Sequence, residues 1–197
     1  MKLQLQQDSS KIFWTGDTHW GHSNILKYDN EFRRLRPFDS IEEHDEALVS
    51  RWNEVVPADG VVIHGGDVFF CKTEKALWLL HRLNGEIHLV LGNHDKAIKG
   101  KIKDRFTTIA DRLEIKTADS DRLIVVDHYA LQVWNKSHWG AWHLHAHSHT
   151  TLKTPDHMLR LDIGVPGHNC YPWTTEEIKK HMETKTWKPI DHHTPER

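Results

Sequence analysis

Apolar and polar positions divide the chain into two regimes. Up to about residue 95, unbroken apolar runs at 11–15, 60–64 and 87–91 each stop at a glycine, the pattern of buried strands ending in loops. Between the first two runs, Ile41, Ala47, Leu48, Trp52 and Val55 recur at helical spacing behind Ser40, with Glu43 at the third helical position and Pro57 as a stop. Residues 73–83 predict a second helix, with Ala76, Leu77, Leu80 and Leu83 on one face, before the turn Asn84-Gly85. Strand, helix and strand within 60–91 make a βαβ unit, so the strands run parallel and their carboxyl-terminal loops share one sheet edge. Ser23 is placed to cap a short helix through Tyr28, and 96–105 is basic and helical in pattern. Beyond it, short alternating stretches at 113–117, 123–127, 130–134, 142–146 and 158–163 predict an antiparallel or mixed second sheet packed on the first. A short amphipathic helix is expected at 174–183. Residues 1–10 and 184–197 are polar and read as poorly ordered tails, the former also suiting a weak edge strand.

Composition narrows the classes. The 197 residues, 38% of them hydrophobic, suit a single domain over 1–197 with a real core. A net charge of −2 excludes a global basic field for nucleic acid or anionic membrane, and no run of about 18 apolar residues spans a bilayer. Cys71 and Cys170 are too few for a disulfide framework, and no apolar leader precedes Lys11, so a reducing cytoplasm is the expected compartment. The 18 histidines suggest dispersed metal ligands, and the exposed tryptophans expected at Trp139 and Trp187 a partner surface.

Polar side chains collect where the strands stop. Asp17 and His19, two apart in an extended segment, can grip one ion from one side, with His22 and Asn24 as neighbours. Asp67 follows paired glycines after the second run and can bridge two cations. Gly92-Asn93-His94-Asp95 delivers an amide oxygen, an imidazole and a carboxylate to one strand tip. His128 ends another strand, and His143, His145, His147 and His149 alternate, which puts all four on one side while the segment stays extended. Alternation alone does not select which two are ligands. Arg33, Arg34 and Arg36 form a local basic cluster suited to phosphate.

Asp17-x-His19, Gly66-Asp67, Gly92-Asn93-His94-Asp95, His128 and Ala146-His147-Ser148-His149 resemble, in this order, the motif set of the calcineurin-like metallophosphoesterases. The resemblance runs from about Phe13 to His149, and Gly16 to Asn24 with Arg36-Pro37-Phe38 is most similar to the small bacterial and phage members. It implies an α/β four-layer sandwich of two mixed sheets flanked by helices. It also implies two divalent metal ions, manganese first, with iron, zinc or nickel as options. Asp17, His19 and His149 would hold one ion and Asn93, His128 and His147 the other, with Asp67 between them. A shared hydroxide would attack phosphorus, His94 would protonate the leaving oxygen and Asp95 would orient His94. The implied activity is hydrolysis of small phosphate esters, first phosphodiesters of nucleotides or nucleic-acid fragments. A phosphomonoesterase and a non-catalytic metal-binding module are the alternatives. His22, Asn24, Arg33, Arg34 and Arg36 are the candidate substrate contacts. No long basic, aromatic-laced groove is present, and no Pro-Cys-x-x-Cys supports a zinc deaminase. The chain departs from the pattern at Ala146, where the family has glycine, which brings close packing at that point into question; His145 is an extra histidine with a structural role expected.

Overall fold

The computed structural model describes residues 1–27 and 35–190. Strands β2 (Ile12–Thr15), β3 (Val61–His64), β4 (Glu86–Val90) and β5 (Thr108–Ala110) are parallel neighbours, and β10 (Trp173–Thr174) pairs antiparallel with β2 at the edge. The strand period of two sends alternate residues to opposite faces. Ile12, Trp14, Val61, Ile63 and Val90 face the second sheet, while Phe13, Val62, Ile87 and Leu89 face the helices. Both faces are therefore buried, which is why the sequence shows continuous apolar runs.

Helix α1 (Ile41–Val55) covers this sheet through Leu48, Val49 and Trp52, and α2 (Thr73–Leu80) covers it through Ala76, Leu79 and Leu80. Ser40 caps α1 as expected, accepting the Glu43 N–H at 3.1 Å, while the Glu43 carboxylate accepts the N–H of Asp39 at 2.8 Å. The βαβ unit forms as the spacing predicts. Helix α2 stops three residues short of the expected end, at Leu80. The basic segment after it is two 3-10 turns, Asp95–Ala97 and Gly100–Arg105, and Ser23–Leu26 is another, with His22 rather than Ser23 at its cap.

The second sheet runs β1 (Lys2–Gln4), β6 (Arg112–Thr117), β7 (Ser120–Asp127), β8 (Trp142–His145), β9 (Arg160–Asp162). Only β6 and β7 are antiparallel, so this sheet too is mixed. Residues 1–10 are thus not all tail, since Lys2–Gln4 forms the edge strand. Leu113, Ile115, Ile124, Val126, Leu144 and Leu161 meet the first sheet to make the inter-sheet core. Helix α3 (Thr175–Glu183), with a complete capping box from Thr174 and Glu177, inserts Ile178 and Met182 into that core.

The outer face of the second sheet is covered differently from expectation. Residues 130–134 form a loop, because side chains take the place of a neighbouring strand: Leu131 donates its N–H to His143 Nε2 (3.0 Å) and its carbonyl accepts from Arg160 (2.8 Å). Trp134 folds over Val125, Ala141 and Met158. The architecture is α/β, with two mixed sheets, helices α1 and α2 on the outer face of the first and α3 at the inter-sheet core. No helix among the described residues is long and apolar enough to cross a membrane.

Leu144 is fully buried between the sheets, whereas Thr174 only caps a terminal helix. Leu144→Ala is expected to cost about 2–5 kcal/mol and Thr174→Ala about 1 kcal/mol, compared by urea denaturation.

Candidate metal centre

The parallel order of β2, β3 and β4, and of β7 and β8, brings five carboxyl-terminal loops to one end of the sandwich. Pairing continues past the strands: Asp17, His19 and Trp20 donate their N–H groups to Gly66, Asp67 and Val68 carbonyls at 2.9–3.0 Å, and Ala146 donates to His128. Asp17, His19 and His149 present donor atoms within 4.8 Å of one another, and Asp67, His128 and His147 form a second such group. Asp67 Oδ2 lies between them, 3.8 Å from His19 Nε2 and 3.6 Å from His128 Nε2.

The protonation pattern of these groups is informative. His128 Nδ1 donates to the Gly65 carbonyl at 2.8 Å, and its Nε2 faces Asn93 Oδ1 at 3.0 Å and Asp67 Oδ2 at 3.6 Å. An imidazole nitrogen, an amide oxygen and a carboxylate oxygen thus converge on one point, the donor arrangement that could hold a cation. Across the site, His19 and His149 stack with Nε2 atoms 3.2 Å apart, and His149 Nε2 is 4.0 Å from Asp17 Oδ2. Both Asp17 oxygens are buried with no side-chain hydrogen-bond partner among the described residues, a state that costs several kcal/mol unless a positive charge compensates. Burial pushes the Asp17 carboxyl well above its usual range, and the Asp162 and Asp67 carboxylates add to this. Burial, then the Arg36 guanidinium, holds His19 well below an ordinary imidazole and brings His149 to about 3; burial also lowers His147. Neutral imidazoles are the form that ligates metals. The donor set of nitrogen and oxygen fits divalent cations of the Mn, Fe, Zn class.

Backbone strain marks the same residues. Asp17, His19, Asp67, His147 and His149 all have φ between 46° and 66°. Such left-handed non-glycine residues cost about 1 kcal/mol or more each and persist where the surroundings impose them. Gly66 and Gly92 permit the crowding, since a Cβ on Gly66 would meet Gly92 N at 2.6 Å and one on Gly92 would strike the Asp67 carboxylate. Ala146 sits where its methyl faces Gly16, and it does not need positive φ.

The histidine alternation breaks where β8 ends. His143 and His145 lie in the strand and are buried: His143 uses both nitrogens, donating to Val125 and accepting from Leu131, and burial lowers it to about 4. His147 and His149 follow in left-handed turns that swing them to the site.

Other site expectations need correction. Asp95 does not orient His94. Its carboxylate accepts the N–H groups of Asp67 (2.8 Å), Val68 (2.9 Å) and Gly92 (2.8 Å), tying the β3 loop to the β4 loop. His94 is exposed at the rim, its own N–H held by Asp67 Oδ1 at 2.9 Å. Arg36 is fully buried and so is not a substrate contact; its guanidinium donates to the Asp17 carbonyl and meets His44 Nε2. Asn24 turns outward, accepting from Lys27. His22 is half-buried near His19, and burial lowers its pKa. Arg33 and Arg34 lie outside the described residues. Sequence reasoning missed Phe70, whose ring packs 4.1 Å from His22 and 4.7 Å from His94. It also missed Asp162, which accepts from Thr150 and Gly164 N–H groups at 2.9 Å beside Asp17. Neither carries a local signal, because a phenylalanine beside another in a loop and a strand-end aspartate are ordinary. Trp139 and Trp187 are exposed and line a cavity of about 550 Å³ at the amino ends of β7 and β8, the far end from these loops.

No protein-family model matches the chain. An uncharacterized protein of Methanocaldococcus jannaschii is 44% identical over 88 residues, which is 44% of this chain and 47% of that protein. The gene 66 protein of Mycobacterium phage L5 is 36% identical over 90 residues, 44% of this chain and 40% of its own length. The matched segments span less than half of either relative. A protein of unknown function from Aquifex aeolicus superposes with a TM-score of 0.67 at 21% identity, over 86% of this chain and 98% of its own, so the two share a fold. Vacuolar protein sorting 29 from Cryptosporidium parvum gives 0.40 at 15% identity, over 76% of this chain and 71% of its own.

With three N–H groups depending on one carboxylate, Asp95→Ala is expected to destabilise the metal-free protein by about 3 kcal/mol. Replacement of exposed His94 by alanine should stay within about 0.5 kcal/mol. Urea denaturation of the two variants side by side checks this, and equal losses would contradict it.

Proposed function

We propose that this chain is a phosphoesterase dependent on two divalent cations, acting on phosphodiesters of nucleotides or small nucleic-acid fragments. The observation that carries the reading is the convergence of seven donors into two groups that share Asp67. The order of the motifs supports it, because it resembles that of the calcineurin-like metallophosphoesterases. Asp17, His19 and His149 would hold one ion, Asn93, His128 and His147 the other, and Asp67 both. Such a pair supplies an ionised water and neutralises charge on the phosphoryl oxygens.

The chain's own groups complete the chemistry. His94 stands at the rim, exposed to an incoming ester and fixed through its N–H to Asp67, where it can protonate the leaving oxygen. Its ring packs against Phe70, which limits its rotation without a carboxylate partner. No serine or cysteine nucleophile is required; burial pushes the half-buried Cys71 thiol up to about 11, far from a reactive thiolate.

Metal-stripped protein should be inactive, and added Mn²⁺ should restore hydrolysis of bis(p-nitrophenyl) phosphate in preference to p-nitrophenyl phosphate. Inactivity on both with two ions bound would favour a metal-binding module, and a monoester preference would overturn the diester assignment. His94→Ala should lower kcat by about 10²–10⁴-fold with metal content unchanged. Asp67→Ala should empty or scramble the pair, as metal analysis would show. Equal metal loss in both variants would sink this division of roles.

A further inference from the structure

The loop that carries Asp17 and His19 is held along one side by the β3 loop, which accepts the N–H groups of residues 17, 19 and 20. Those bonds leave two backbone groups at the ends of the ligand segment to be held from elsewhere. The Asp17 carbonyl accepts from Arg36 Nη2, and the Gly21 N–H donates to Asp45 Oδ1 at 3.0 Å. The two holding side chains are joined through His44, whose Nε2 accepts from Arg36 Nη1 at 2.6 Å and whose Nδ1 donates to Asp45 Oδ1 at 3.1 Å. Lys75 of α2 reaches Asp45 Oδ2 at 2.6 Å and completes the chain. Arg36 and His44 are 0% exposed and Asp45 2%, so this is an interior network and not a surface ion pair.

We propose that Arg36 and Asp45 are positioning residues for the cation site of Asp17, His19 and His149, fastening the loop 17–21 at both ends. The proposal rests on the metal-centre reading above. Asp17 and His19 have φ of 52° and 48°, so the loop relaxes toward ordinary backbone unless its ends are fixed. Buried ionic networks often contribute little net stability, since desolvation offsets attraction, and the role we assign to this one is to select the loop's conformation. A structural cost alone would weaken both cation sites together. The fastening acts chiefly on one of them, because Asn93 and His128 are supported separately: His128 by the Gly65 carbonyl, and the β4 loop by Asp95.

The test is Mn²⁺ binding by the full chain, followed by stoichiometry and electron paramagnetic resonance, for wild type, Arg36→Lys and Asp45→Ala. Lysine keeps the charge but offers one nitrogen in place of the two that Arg36 gives to His44 and Asp17. Asp45→Ala covers the case in which the arginine variant fails to fold. Melting of the metal-free proteins gives the structural cost independently. Wild type is expected to take up two ions with a coupled signal. Each variant should retain one ion with an uncoupled six-line signal, and its other site should weaken by about 10–100-fold. Parallel weakening of both sites, or wild-type affinity at both, would overturn the proposal while leaving the metal centre intact. A wild-type protein that takes up no metal would overturn the metal centre and this proposal with it.

Discussion

The convergence of acceptors around Asp67 is the constraint on which the rest of this end of the molecule depends. Carboxylate, amide and imidazole acceptors lie within 3.0–4.0 Å of each other with almost no donors between them. Left to themselves such groups repel, and the buried Asp17 carboxylate is the clearest case. The polypeptide holds them together by geometry: five of the seven sit in left-handed backbone that no local preference favours. That strain is borne by two sheets whose parallel strands end at one edge, and by backbone bonds that extend the pairing past the strand ends.

Two buried side chains that look like chemistry in the sequence serve this geometry instead. Asp95 stands beside His94, yet gives its oxygens to three backbone N–H groups and locks the β3 and β4 loops together. Arg36 lies in a basic stretch suited to phosphate, yet turns inward to the Asp17 carbonyl. In both cases a charged group is retained inside because unpaired backbone groups of strained loops need strong partners.

The fold itself was largely legible. Continuous apolar runs at 11–15, 60–64 and 87–91 that stop at glycine read as buried strands, and the Ser40 cap and Pro57 bracketed α1 correctly. The loop at 130–134 was not legible, because its apolar alternation matches a strand and its backbone partners, His143 and Arg160, come from distant positions. The short strands β5 and β10 escaped notice because three and two residues carry too little pattern.

What the sequence by itself determined is which residue types stand at strand ends: Asp17, His19, Asp67, Asn93, His128, His147 and His149 all follow apolar runs, and burial of those runs forces them to one edge. Alternation did not decide among the four histidines; the motif resemblance implied His147 and His149, and only the tertiary structure supplies the physical reason. Strand β8 ends at His145, so His143 and His145 stay in the sheet while reversed φ carries His147 and His149 into the cluster. Periodicity describes a chain while it remains regular. Where it stops, and what holds it once it has, depends on contacts between residues far apart in sequence.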